Sequence, residues 1–205
     1  GWYFFIHNNL MRFLHPKAEH HQPFYYYFPV LAGGFFPWFC FLPFAISRAL
    51  RRPLQKMDER RFFLLLWFLA FFIFFSLASS KLSTYILPLF PAASLLVGAL
   101  WHDWIKTLPS RFDRAFLYSF APLVLILPAL LLCFSISPPV YYSHKFGFNF
   151  LQYGYLALCV AGGAGVSLYF GVKKRPMASF WTLTVTIASI FLYVESAILP
   201  TLDPY

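Results

Sequence analysis

The chain has 205 residues, of which 60% are hydrophobic, 23% are aromatic and only 11% are charged. Soluble domains carry about 25% charged and about 45–50% apolar residues, so this composition excludes a soluble globular protein. A disordered segment is excluded as well, because disorder requires few apolar residues and many charges. The mean hydropathy of +0.64 and the long apolar runs therefore predict an all-α integral membrane protein.

Six apolar stretches are long enough to cross a bilayer as helices, since a hydrocarbon core of about 30 Å needs about 20 residues. They are 24–46, 62–79, 85–101, 115–137, 150–172 and 179–199. Only 80–84 separates the second stretch from the third, which predicts a tight helical hairpin. The small residues of AGGAG at 161–165 predict close helix packing in the fifth stretch.

The basic residues alternate from loop to loop. Twelve of the 16 Lys and Arg lie in the first-to-second, third-to-fourth and fifth-to-sixth loops. The positive-inside rule places these loops in the cytoplasm and both chain ends on the outer, periplasmic face. We therefore expect an external loop at 1–23, a six-span bundle with short loops at 24–199, and the start of an external C-terminal region at 200–205.

The net charge of +9 does not indicate a nucleic-acid partner. The basic runs lack the interleaved aromatic residues on which bases stack, and lipid head groups are their expected contacts. The three cysteines, Cys40, Cys133 and Cys159, all lie within apolar runs. An odd number of cysteines in such positions argues against a disulfide framework.

The external segment 8–23 is rich in basic and histidine side chains, among them Arg12, His20 and His21. Such a cluster suits an anionic head group or a phosphate. Adjacent histidines do not share a helix face, and no Cys or HxxxH pattern accompanies them. Neither a metal site nor a cofactor is therefore predicted.

Lys81 lies at the outer tip of the predicted hairpin, in SSKLSTYILPLFP. If 81–85 is helical, Lys81 and Tyr85 are at positions i and i+4 and point the same way, where an ammonium and a phenol could grip a phosphate. The alternative is a lysine that snorkels at a helix end. Glu195, in the sixth stretch, is either a functional intramembrane carboxylate or part of a solvated helix end.

Three motifs carry a resemblance to a known family. The segment SKLSTYILPLFPAASLLVGAL at 80–100 resembles the KLxxYxLP hairpin of GT-C superfamily glycosyltransferases of the protein-mannosyltransferase type, especially the bacterial lipid A aminoarabinose transferases. Segment 9–43 resembles the external segment of that family and the span with PW and LP that follows it. Segment 198–205 resembles the family's exit from its last span. Their order, spacing and sidedness agree with the predicted topology.

The resemblance implies a multi-pass enzyme of the bacterial inner membrane. Such enzymes move a sugar from a polyprenyl-phosphate carrier to an acceptor on the outer face: a glycolipid such as lipid A, a protein or another glycan. Lys81 and Tyr85 are the implied contacts of the carrier phosphate. Arg12 and His20 or His21 are implied as further contacts.

The family's acceptor-activating carboxylate lies in an early acidic external loop that has no counterpart in this sequence. The outward carboxylates Glu19, Glu195 and Asp203 match no family motif. No catalytic residue is therefore predicted in this chain. We expect it to be the C-terminal half of the transmembrane region of a longer enzyme, and to be inactive by itself.

Two other classes of protein share the composition. A transporter or flippase of lipid-linked intermediates would also need a cationic, aromatic cavity, but transporters usually show inverted repeats and charges at the midplane. The sequence shows neither feature. A non-catalytic membrane scaffold would tolerate replacement of the external His, Arg and Lys residues.

Overall fold

The computed structural model describes residues 22–50, 59–78, 81–108, 113–126, 128–129 and 150–198. All regular elements within these residues are helical, as the composition predicts. The contacts divide the chain into two compact units, Gly1–Leu100 and Trp101–Tyr205.

The first described helical segment of the first unit is sharply broken. Helix α1 covers Tyr27–Gly34, and the 3₁₀ helix Trp38–Phe41 runs directly into α2, Leu42–Leu50. The two parts meet at an angle of 113°, so the predicted stretch 24–46 is not one straight helix. Pro37 explains the break, because it has no N–H and disfavours a helical conformation in the residue before it.

Helix α3, Glu59–Leu77, is apolar on every side. Leu65 and Phe68 are buried, whereas Phe63, Phe74 and other large side chains are exposed. A helix of this kind with so much exposed apolar surface suits a lipid environment rather than water. A 3₁₀ turn, Ser83–Ile86, follows it, and α4 covers Leu89–Thr107.

The second unit contains the remaining helices of the described residues. Helix α5, Arg114–Ala121, continues as a π-helical turn, Pro122–Ile126. Helix α6 covers Phe150–Val172, the same residues as the predicted fifth stretch. Helix α7 covers Pro176–Tyr193 and continues as a π-helical turn, Val194–Ile198.

Aromatic rings form the core of the second unit. Trp101 lies edge-to-face against Trp104, Phe116 and Phe180, with ring centroids 5.5, 5.8 and 5.3 Å away. Such arrangements add about 0.5–1.5 kcal/mol per pair to the area that the rings bury. Asp113 closes one edge of this core, since its Oδ2 accepts a hydrogen bond from Trp104 Nε1 at 3.0 Å. Its Oδ1 accepts from the Ala115 N–H and caps α5.

Helices α6 and α7 pack closely through small residues, as the AGGAG segment predicts. A Cβ on Gly163 would collide with the Thr186 side chain of α7. The Ser167 hydroxyl is buried and donates to the Ser179 carbonyl at 2.7 Å. This hydrogen bond satisfies a polar group that the apolar surroundings would otherwise leave unpaired.

A tight turn joins α6 to α7. Arg175 N donates to Phe170 O at 2.9 Å and Lys174 N to Gly171 O at 3.0 Å, which is the hydrogen-bond pattern of a Schellman motif. Lys174 has a φ of 59°, in the left-handed region where glycine is favoured. Pro176, at the first position of α7, starts the next helix.

The six-span prediction is supported in part. In the described ranges, three helices are long and apolar enough to cross a membrane: Glu59–Leu77, Gly154–Val172 and Pro176–Ser196. Counting the bent pair as one span gives four. The predicted third stretch, 85–101, is divided between the 3₁₀ turn and α4, which is not among these spans. In the fourth, 115–137, the described apolar helix Arg114–Ile126 is shorter than a span, and most of the residues that follow it lie outside the described residues.

Candidate functional site

The turn between α3 and α4 carries both residues of the predicted phosphate site. Lys81 and Leu82 are not helical, and Leu82 is extended, with φ −118° and ψ 143°. The expected i, i+4 helical relationship between Lys81 and Tyr85 is therefore wrong. The two side chains differ in exposure: Lys81 is 5% exposed and Tyr85 is 39% exposed.

The Lys81 ammonium is held by two backbone carbonyls from different parts of the chain. Nζ donates to Ala78 O, just beyond the end of α3, at 2.5 Å and to Gln22 O at 3.1 Å. Carbonyls at the end of a helix lack intrahelical partners and favour a nearby positive charge. Lys81 therefore caps α3 and ties it to the segment before α1, which differs from both the phosphate-gripping and the snorkelling interpretation.

Burial sets the electrostatics of this lysine. Removal from water lowers the pKa of the Lys81 ammonium below its usual value. Within the described part of the chain, its polar partners are the two carbonyls and include no carboxylate. A buried cation without a countercharge is costly, so the two carbonyl hydrogen bonds are needed to keep it in place.

Tyr27, the first residue of α1, also forms a hydrogen bond to this turn. Its side chain is fully buried, and its hydroxyl donates to Leu82 O at 3.1 Å. Leu82 O also accepts the backbone N–H of Tyr85 at 3.1 Å. One carbonyl oxygen therefore joins the first residue of α1 to the residue proposed to contact phosphate.

The ring of Phe75 lies between these tyrosines. Its centroid is 6.3 Å from the Tyr27 ring and 6.0 Å from the Tyr85 ring. Tyr85 consequently has one face supported by α3 while part of the side chain stays exposed. Tyr85 is thus a partly exposed tyrosine on a supported turn, and a phenol hydroxyl can donate a hydrogen bond to an anionic oxygen.

Other predicted residues are not brought to this turn by the described structure. Arg12, His20, His21, Glu19 and Asp203 lie outside the described residues. Glu195 is exposed in the π-helical turn of the second unit. A search of the described residues finds no group of three His, Cys, Asp or Glu that could hold a metal ion.

Two participants were missed in the sequence. The sequence motifs give no role to Tyr27 or to Gln22, although both contribute to this turn. Gln22 contributes only its carbonyl, which every residue has, so no sequence signal could have found it. Tyr27 is buried whereas Tyr25 is exposed. The sequence YYY at 25–27 does not indicate which of these side chains is buried.

Comparisons with known proteins identify relatives of this chain. No family model matches it. The undecaprenyl phosphate-alpha-4-amino-4-deoxy-L-arabinose arabinosyl transferase of Serratia proteamaculans (strain 568) is 32% identical over 182 residues, 88% of this chain and 32% of the relative. The protein of the same name from Pectobacterium carotovorum subsp. carotovorum (strain PC1) is 42% identical over 113 residues, 55% of this chain and 19% of the relative. This chain is homologous to part of these arabinosyl transferases.

A solved structure supports the fold. The crystal structure of ArnT from Cupriavidus metallidurans bound to undecaprenyl phosphate matches with a TM-score of 0.60 at 22% identity, covering 97% of this chain and 35% of that chain. The structural match supports the fold, and the sequence matches to the arabinosyl transferases confirm the resemblance to the aminoarabinose branch of GT-C glycosyltransferases. The chain spans about a third of the length of the arabinosyl transferase from Serratia.

Proposed function

We propose that the whole protein to which this sequence belongs is a membrane glycosyltransferase that takes a sugar from a polyprenyl-phosphate carrier. The similarity to the undecaprenyl phosphate-linked aminoarabinose transferases carries this proposal. By the same similarity, the donor is undecaprenyl phosphate-linked 4-amino-4-deoxy-L-arabinose. The acceptor is a glycolipid such as lipid A, a protein or another glycan on the outer face.

The reaction is a displacement at the anomeric carbon in which the lipid phosphate leaves. Negative charge grows on the phosphate in the transition state, so hydrogen-bond donors placed there accelerate the reaction. We assign Tyr85 as a donor to the carrier phosphate, because its side chain is partly exposed on a supported turn. Lys81 lies in the same turn as Tyr85, and Arg12 with His20 or His21 supplies positive charge to the phosphate from the external segment.

The chemistry assigned to this chain is binding rather than acceptor activation. No carboxylate of the sequence matches the family motif for the general base, so we place the base in another part of the whole protein. The chain contributes contacts to the phosphate, which acts as the leaving group, and to surrounding lipids. No metal or other cofactor is assigned to it.

We also propose the full topology: six spans, with both ends of 24–199 on the periplasmic side of the bacterial inner membrane. The alternation of basic loops supports this orientation. The turn Lys173–Arg175 between α6 and α7 then lies in the cytoplasm, and the Lys81–Tyr85 turn lies at the outer face. In this arrangement 1–23 and 200–205 are external.

A substitution in the whole transferase tests the proposed function. Tyr85→Phe removes only the phenol hydroxyl, and we expect kcat/KM for the lipid-linked donor to fall about 10- to 100-fold, the value of a hydrogen bond to a charged group. Transfer from undecaprenyl phosphate-aminoarabinose to lipid A is measured in proteoliposomes. Tyr169→Phe, an exposed tyrosine of α6, is the matched control and should keep normal transfer. Unchanged transfer by both Tyr85→Phe and Tyr85→Ala would refute the site.

A further inference from the structure

The turn that carries Tyr85 is held by side-chain donors that cannot easily reach a substrate. Lys81 is nearly buried and directs its ammonium to Gln22 O and Ala78 O. Tyr27 is fully buried and directs its hydroxyl to Leu82 O. Both side chains donate to backbone carbonyls, and these three hydrogen bonds fix the path of the chain immediately before Tyr85.

A single carbonyl oxygen, Leu82 O, connects Tyr27 to Tyr85. Leu82 O accepts the Tyr27 hydroxyl and the Tyr85 backbone N–H at the same distance, 3.1 Å. The Tyr85 N–H bond closes the first part of the 3₁₀ turn, so a shift of the Leu82 carbonyl would move the Tyr85 backbone with it. Phe75, which contacts both tyrosine rings, couples their side chains as well.

We propose that Lys81 and Tyr27 form a clamp that positions Tyr85, and that they act as positioning residues rather than as ligands of the carrier phosphate. The clamp consists of these two donors and the carbonyls of Gln22, Ala78 and Leu82. This inference rests on the proposed function, because the proposed function assigns Tyr85 as the donor to the carrier phosphate. It assigns Lys81 a different role from the one its motif implies.

A structural measurement tests the clamp without any activity assay. Tyr27→Phe keeps the ring and removes one donor, and Lys81→Met keeps most of the unbranched side chain and removes the other donor. In the whole transferase in detergent, we expect either substitution to speed hydrogen–deuterium exchange of the amides at 83–90 about three- to tenfold. Tyr25→Phe and Lys106→Met remove equivalent exposed groups and should leave this exchange unchanged. Unchanged exchange in both clamp variants would overturn the proposal.

A double-mutant cycle connects the clamp to catalysis. If Tyr27 acts only through Tyr85, Tyr27→Phe should lower kcat/KM for the donor severalfold in the wild type but less than twofold in Tyr85→Phe. The KM for the acceptor should stay constant, and Lys81→Arg should restore part of the activity lost in Lys81→Met. Additive effects of Tyr27→Phe and Tyr85→Phe would overturn the positioning role.

The two proposals fail in different ways. Full activity of Tyr85→Phe would reject the phosphate contact, while the exchange measurement would still decide whether the clamp exists. Loss of activity in Lys81→Met with normal exchange at 83–90 and normal activity in Tyr27→Phe would instead make Lys81 a direct phosphate ligand. That outcome would keep the proposed function and reject the clamp.

Discussion

Gly163 of α6 lies so close to Thr186 of α7 that no side chain fits between them. Helices in a bilayer gain little from the hydrophobic effect between them, so close approach of their backbones supplies much of the association energy. The neighbouring Gly162 has open space around the position of its missing Cβ. A side chain is therefore tolerated at Gly162 but not at the adjacent Gly163.

We expect Gly163→Ala to destabilise the protein by about 1–3 kcal/mol, because the added methyl group forces α6 and α7 apart or displaces Thr186. The measurement is thermal unfolding in detergent followed by circular dichroism. Gly162→Ala is the matched control and should change the unfolding midpoint little. Equal midpoints for the two variants would contradict the packing described for α6 and α7.

The buried hydrogen bond between α6 and α7 gives a second prediction. Ser167→Ala removes the donor to the Ser179 carbonyl and should cost about 0.6–1.7 kcal/mol, the range found for polar contacts between membrane helices. Ser189→Ala is the control, because Ser189 is exposed and bonds to Val185 O within its own helix. Chemical unfolding of both variants is compared, and an equal loss in both would argue against a special role for Ser167.

A glycine at position 174, in the turn between α6 and α7, should stabilise the protein. Lys174 adopts a left-handed conformation, so Lys174→Gly relieves strain and should stabilise the protein by up to about 1 kcal/mol. Lys174→Val removes the same charge but places a β-branched side chain at a positive φ, and it should destabilise. The difference in unfolding midpoint between these two variants isolates the backbone effect from the charge. A higher midpoint for Lys174→Val would contradict the assigned conformation.

Asp113 should be important for the second unit because it serves two partners at once. Asp113→Ala removes the cap of α5 and the acceptor of Trp104 Nε1, for an expected loss of about 1–3 kcal/mol. Asp113→Asn keeps one carbonyl oxygen and should lose less. Tryptophan fluorescence during thermal unfolding measures the change near Trp104, and equal stability of Asp113→Ala and wild type would refute the assignment.

The Lys81 ammonium predicts a specific pH dependence. Its pKa is lowered in the folded protein, so between that value and the usual value of 10.5 the unfolded chain binds more protons. The contribution of Lys81 to the free energy of unfolding therefore rises with pH between its lowered pKa and 10.5, and it is constant at lower pH. The stability of wild type relative to Lys81→Met should increase as the pH approaches 10.5, as measured by chemical unfolding at several pH values. A parallel pH dependence in the two proteins would contradict the burial of Lys81.

Parts of the fold that depend on local composition could be predicted from sequence. The run 150–172 is uniformly apolar and is bounded by polar residues, and α6 covers the same range. The small residues at 161–165 correctly indicated close packing, because a helix without large side chains allows a neighbour to approach. Prolines such as Pro37 within the apolar stretches are compatible with a broken helix, but the sequence does not place the break, since membrane helices often tolerate proline when neighbours satisfy the freed carbonyls.

The environment of Lys81 could not be predicted for a different reason. Its partner Gln22 O is 59 positions away in the chain, and a carbonyl carries no sequence signal. The motif singles out 81–85, but helical spacing does not describe a turn whose first two residues, Lys81 and Leu82, are not helical. Long-range backbone contacts of this kind become visible only when the elements are packed.

The chemistry of the clamp predicts which of its positions vary among related sequences. All of its acceptors are main-chain oxygens, which any residue at positions 22, 78 and 82 can provide. Its donors are side chains, which few residues can replace. Across aminoarabinose transferases, evolution should therefore retain a hydroxyl-bearing aromatic residue at the position of Tyr27 and a cation at that of Lys81, while the three residues that accept their hydrogen bonds drift freely.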